Sequence, residues 1–84
     1  MNIFEKLDRH TALVNRMAET VGADLGESLL AGRLSGPALR GMVLTCCCCK
    51  GAEVCPGWMA EHATGAEAAP AYCLNRDSLA ALKG

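Results

Sequence analysis

The chain has 84 residues, 51% of them hydrophobic and 20% charged, with a formal net charge of −1. A chain this short buries about 60–65% of its unfolded surface, so one domain with a small core is what it can build, and a metal or covalent staple would add to that core. The balance is globular rather than disordered, and the near-neutral charge argues against a nucleic-acid or membrane surface.

Read in chain order, the elements are all helical. The opening "MNIFEKLDRH" brings in charges early and holds no apolar stretch of the kind a secretory signal needs. Ile3, Leu7, His10, Val14, Met17 and Val21 recur at spacings of three and four, which predicts one amphipathic helix over residues 3–21. Gly22 suits its C-cap, and Asp24 suits the N-cap of a short second helix whose Leu25, Leu29 and Leu30 can face the core. "LSGP" stops and restarts the chain, with Ser35 near the cap and Pro37 in the first turn. The third helix is expected from Pro37 to about Cys49, ended by Lys50-Gly51. A fourth starts near Cys55-Pro56 and carries Trp58 and Met59; "ATGAEAAPA" reads as a loop and "LNRDSLAALK" as a terminal helix. The expectation is an all-α bundle of four to five short helices forming a single domain over residues 1–84. The longest apolar run, Met42 to Cys49, is about half of what a membrane span needs. A cytoplasmic location follows as the default.

Six cysteines in such a chain point to metal binding or redox chemistry rather than to disulfides, because a reducing compartment keeps thiols free. Cys46 and Cys49 fall on one face of the third helix, while Cys47 and Cys48 rotate away by roughly 100° and 200°. Adding Cys55 and Cys73 gives C-x2-C-x5-C-x17-C, four soft ligands for iron–sulfur or zinc. Structural zinc is commonly held between two C-x2-C knuckles, and Cys55 with Cys73 makes no second one. That favours iron–sulfur over Zn2+.

Two resemblances bear on this choice. "CCCCKGAEVC" resembles the end of the cluster loop in endonuclease-III-type DNA glycosylases, whose C-x2-C-x5-C tail closes around a 4Fe-4S cluster in an all-helical setting. The likeness covers this short segment only, their further upstream cysteine is absent here, and it implies a cluster type rather than DNA repair. Over nearly the whole chain, "LDRHTALVNRMAETVGADL", "LRGMVLTCCCC", "CPGWMAEH" and "PAYCLNRDSL" resemble a family of short bacterial proteins, frequent in alphaproteobacteria, classed as a domain of unknown function. Its shared pattern of C-x2-C, a third Cys followed by x-x-Trp, and Tyr-Cys-x-Asn matches Cys46, Cys49, Cys55 with Trp58, and Tyr72-Cys73 with Asn75. This resemblance implies the same four ligands and supplies no activity.

The remaining residues admit plainer readings. His10, on the apolar stripe, reads first as a core histidine bonded to a carbonyl, and otherwise as a hydrogen-bond donor at the edge of a cluster or a replacement ligand. His62 reads as solvated. Trp58 and Tyr72 flank ligands and are expected to shield the site from water. Cys47 and Cys48 are expected to lie outside the ligand set. No phosphate-cradling loop, Ser-His-Asp set or carboxylate pair is present in the sequence, so an enzyme is not expected. The expected function is a small 4Fe-4S protein working in electron transfer or in redox or oxygen sensing, with a redox or regulatory protein as partner. The alternatives are a zinc-stapled interaction module and a metal-free thiol redox protein.

Overall fold

The computed structural model describes residues 2–83. Five helices follow one another: α1 (Ile3–Val21), α2 (Leu25–Leu30), α3 (Gly36–Cys47), α4 (Cys55–Glu61) and α5 (Arg76–Ala81). Among the described residues there is no strand, only an isolated antiparallel bridge between Ala23 and Lys83. The all-α expectation holds.

Local chemistry sets the helix ends. The Asn2 side chain accepts the Glu5 N–H at 2.9 Å, and the Asp24 carboxylate accepts that of Glu27 at 2.9 Å. Ser35 Oγ accepts the Ala38 N–H at 3.1 Å, with Pro37 in the first turn of α3. Each cap satisfies an N–H that the helix itself leaves without a partner. Gly22 ends α1 in the left-handed region at φ 83°, where a side chain would be strained.

α1 is the central element and packs against α3, α4 and α5. Its inner face, Leu13, Val14, Met17, Ala18 and Val21, joins Met42, Val43, Met59, Leu79 and Leu82 in one core. Leu13 and Ala18 widen the stripe that the spacing predicted. Ile3 lies outside the core at 62% exposure, in the first turn of α1.

The second helix corrects the expectation. Leu29 is 39% exposed and Leu30 87%, while Leu25, Ser28 and Leu34 are buried. α2 has six residues, so its inner face holds only Leu25 and the residue one turn on, Ser28. Ser28 Oγ satisfies itself on the Asp24 carbonyl at 2.7 Å. Leu34, in the connection to α3, fills the space assigned to the two leucines.

The long connection between α4 and α5 is tied down by polar contacts rather than by apolar area. Ala66 N–H donates to the Thr20 carbonyl at 2.8 Å, Arg76 Nε to that of Ala69 at 2.9 Å, and Lys83 Nζ to that of Glu67 at 2.7 Å. Asn75, 4% exposed, donates to the Met42 carbonyl at 2.8 Å and fastens the start of α5 to α3. Among the described residues no helix is long and apolar enough to cross a membrane.

Candidate metal centre

α3 turns Met42, Val43 and Cys46 toward α1, then stops. Cys48 caps it, and the N–H groups of Cys48 and Cys49 close back on the Thr45 and Cys46 carbonyls at 3.0 Å each. Cys49 therefore stands just past the helix, not on it as the spacing suggested. A turn follows in which Cys55 N–H donates to the Gly51 carbonyl at 2.9 Å, which starts α4 with Cys55 facing inward. Cys73 N–H donates to the Pro70 carbonyl at 2.9 Å in the turn before α5.

These local events bring Cys46, Cys49, Cys55 and Cys73 to the wall of one cavity of about 30 Å³. Leu13, Val14 and Met17 of α1 form its apolar floor, and Tyr72, Leu74 and Asn75 border it on the C-terminal side. Cys47 and Cys48 take no part in that wall; Cys47 is half-buried and Cys48 exposed. All six thiols are free. Among the described residues no group of three Cys, His, Asp or Glu side chains is set to hold a single metal ion as it stands.

Two of the sulfurs have hydrogen-bond partners shown directly. Gly51 N–H donates to Cys49 Sγ at 3.3 Å, and that thiol in turn donates to the Tyr72 carbonyl at 3.6 Å. His10 Nδ1 stands 3.2 Å from Cys46 Sγ, so the buried histidine has a thiol rather than a backbone carbonyl as its partner. It is not in the cavity wall, which leaves it behind Cys46.

The electrostatics follow from burial among like charges. Burial first, then the neighbouring Cys49, Cys55, Cys73 and Cys47, push the Cys46 thiol up to about 11. Burial also raises Cys55, with Cys73 and Cys49 adding to it. Cys73 is raised by burial and by Cys49, an effect opposed by the Asn75 N–H that bonds it. Desolvation and the adjacent Arg9 and Lys6 lower His10, favouring the neutral imidazole. In the absence of a cation these thiols keep their protons; a soft cation would displace them.

The aromatic residues divide. Tyr72 borders the cavity, and its ring lies directly over the Cα of Gly51, where a Cβ would collide with it. Trp58, expected beside it as a shield, is not in the wall. In α4 the inward positions one turn apart are Cys55 and Met59, and Trp58 turns aside to stack on His62 with ring centroids 4.0 Å apart. His62 is thus half-buried rather than solvated, its Nδ1 2.8 Å from the Trp58 carbonyl. Gly57, within α4, is likewise away from the wall.

The whole chain, residues 1–84, matches the model of the family of unknown function DUF6455, and the chain belongs to that family. No curated protein and no solved structure matches it.

Proposed function

We propose that this member of a family without an assigned activity holds one 4Fe-4S cluster through Cys46, Cys49, Cys55 and Cys73. One observation carries the reading: the four cysteines singled out by spacing line a common cavity, and the two left over do not. The donor set fits the group. Four soft thiolates are the usual ligands of such a cluster, and the wall offers no competing carboxylate. Four thiolates on a doubly positive cluster leave a double negative charge. The Gly51 N–H already donates to Cys49 Sγ and would offset part of that charge.

Three of the four thiols sit outside helix interiors: Cys49 in a loop, Cys55 at the first residue of α4 and Cys73 in a turn. They can be repositioned without breaking a helix. When bound, the cluster would supply one-electron redox chemistry; the chain's part is to hold it, to keep water from it with Leu13, Val14, Met17 and Tyr72, and to balance its charge. The role we assign is electron transfer or redox or oxygen sensing in the cytoplasm, with a redox or regulatory protein as partner and no catalysis of its own.

One observation favours zinc instead. A cavity of about 30 Å³ offers room on the scale of one or two waters, nearer to a single ion than to a cluster. In that case the metal staples the helices and carries no electron. Anaerobic purification and reconstitution with iron and sulfide separate the two. The cluster reading expects a brown protein with broad absorption near about 400 nm, bleached by dithionite, as thiolate-held iron–sulfur centres are. A colourless protein with one equivalent of zinc and no iron after reconstitution would replace the cluster with the staple.

A further inference from the structure

α1 meets the cavity with apolar side chains alone, Leu13, Val14 and Met17. One turn before them, His10 is buried at 5% exposure with Nδ1 3.2 Å from Cys46 Sγ. An imidazole and a thiol at this distance can bond in two senses. Either the S–H donates to a bare Nδ1, or an Nδ1–H donates to the sulfur. A sulfur bound to a metal carries no proton, so only the second sense survives there.

Resting on the metal-centre reading above, we propose that His10 is the positioning residue of the centre. With Nδ1 protonated and Nε2 bare it donates to the Cys46 sulfur, fixes the direction of that thiolate and draws negative charge from it. Because the imidazole stands behind the sulfur and not in the cavity wall, it acts through Cys46 rather than as a ligand. Donors of this kind tighten the hold on the metal. For a redox centre they also favour the state with the extra electron and so raise its potential. Neither helix end nor loop motion enters: a packed α1 presents the group to α3.

The test uses the full chain, as wild type, His10→Leu and His10→Asn. Leucine removes the donor; asparagine can offer an N–H near the place of Nδ1. Cobalt(II), whose thiolate bands report binding, is the metal probe. His10→Leu should lose about 10- to 100-fold in cobalt affinity, the range for losing such an outer partner, and His10→Asn should regain much of it. In iron-loaded protein the leucine variant should have a lower midpoint potential, again restored by asparagine. Long-range proton–nitrogen spectra of zinc-loaded wild type should show Nδ1 protonated and Nε2 bare. A merely structural histidine would move the unfolding midpoint and leave these readouts alone.

Equal cobalt affinity in wild type and His10→Leu, or a zinc-loaded wild type protonated at Nε2, overturns the assignment while leaving the metal centre standing. If His10→Leu does not fold, the tautomer in wild type decides alone. A wild type that binds neither cobalt, zinc nor iron defeats the metal reading, and the role of His10 with it.

Discussion

Cys46 shows how far a single residue could be read ahead. Its place on the inner face follows from Leu39, Met42 and Val43 at helical spacing, and the ligand role proposed for it from the pairing with Cys49. What periodicity could not say is what faces it across the helix interface; the stripe marked His10 as inward without naming its partner. The thiol's resistance to ionisation gives a pH prediction for the metal-free protein. Burial pushes the thiol up to about 11 in the fold from an ordinary value of 9.0, so between the two the folded state holds a proton that the unfolded state has lost. Stability from this group is complete below the ordinary value and is lost as pH rises through the folded one. Thermal unfolding of metal-free protein should fall from pH 9 to 11, and less steeply in Cys46→Ala; parallel slopes would show that the thiol is not the cause. Substitution separates the six cysteines further. On the proposed ligand set, serine at Cys46, Cys49, Cys55 or Cys73 would remove a direct ligand, so each should cost more than the about 10- to 100-fold that an outer partner is worth. Serine at Cys47 or Cys48 should leave metal content intact. Metal analysis of the six variants checks both halves, and loss in Cys47→Ser or Cys48→Ser with retention in Cys73→Ser would reassign the ligands.

Among the elements, helix starts were legible where the chemistry marks them: Asp24 and Ser35 cap α2 and α3, and Pro37 and Pro56 stand in the first turns of α3 and α4. Ends and faces were less so. α3 stops at Cys47 rather than Cys49, because four identical residues offer no change of chemistry to mark the turn. Leu29 and Leu30 resembled core positions, yet a helix of six residues presents too few inward places for them. Trp58 lies three residues after Cys55 and packs against the core, yet its ring stacks on His62 and stays out of the cavity wall, which spacing alone does not reveal. The element between α3 and α4 carries a tighter requirement. Tyr72 rests on Gly51, where a side chain has no room, and the same glycine N–H bonds Cys49 Sγ. Gly51→Ala should push the Tyr72 ring off the mouth of the site at a cost of about 1–3 kcal/mol, the range for overpacking. The expected readout is faster metal release to a chelator with unchanged helix content by circular dichroism. Release at the wild-type rate would mean that Tyr72 does not close the site.

At the scale of the molecule, stability is divided unequally. A domain of this size has a margin of about 5–15 kcal/mol at best, and small cores lie toward its lower end. The pairing of α1 with α3 is built from Leu13, Val14, Met42 and Val43 and needs no metal. α4 contributes chiefly Cys55 and Met59 to the core, with Trp58 packed against it, so a metal held by Cys55 would be its main anchor. α5 has anchors of its own: Leu79 in the core, Asn75 on the Met42 carbonyl, and the Ala23–Lys83 bridge. The staple should therefore act unevenly along residues 46–83. Metal removal should strip amide protection first from residues 48–61, while residues 7–21 stay protected and residues 76–82 lose part of theirs. The contacts that hold α5, Asn75 on the Met42 carbonyl and the Ala23–Lys83 bridge, were not legible in the sequence. Hydrogen exchange on loaded and metal-free protein reads the gradient directly. If the two forms are protected alike, the cysteines staple nothing and the cavity is a gap in ordinary packing. If residues 76–82 open together with residues 48–61, the Asn75 and Lys83 ties are too weak to hold α5 without the metal.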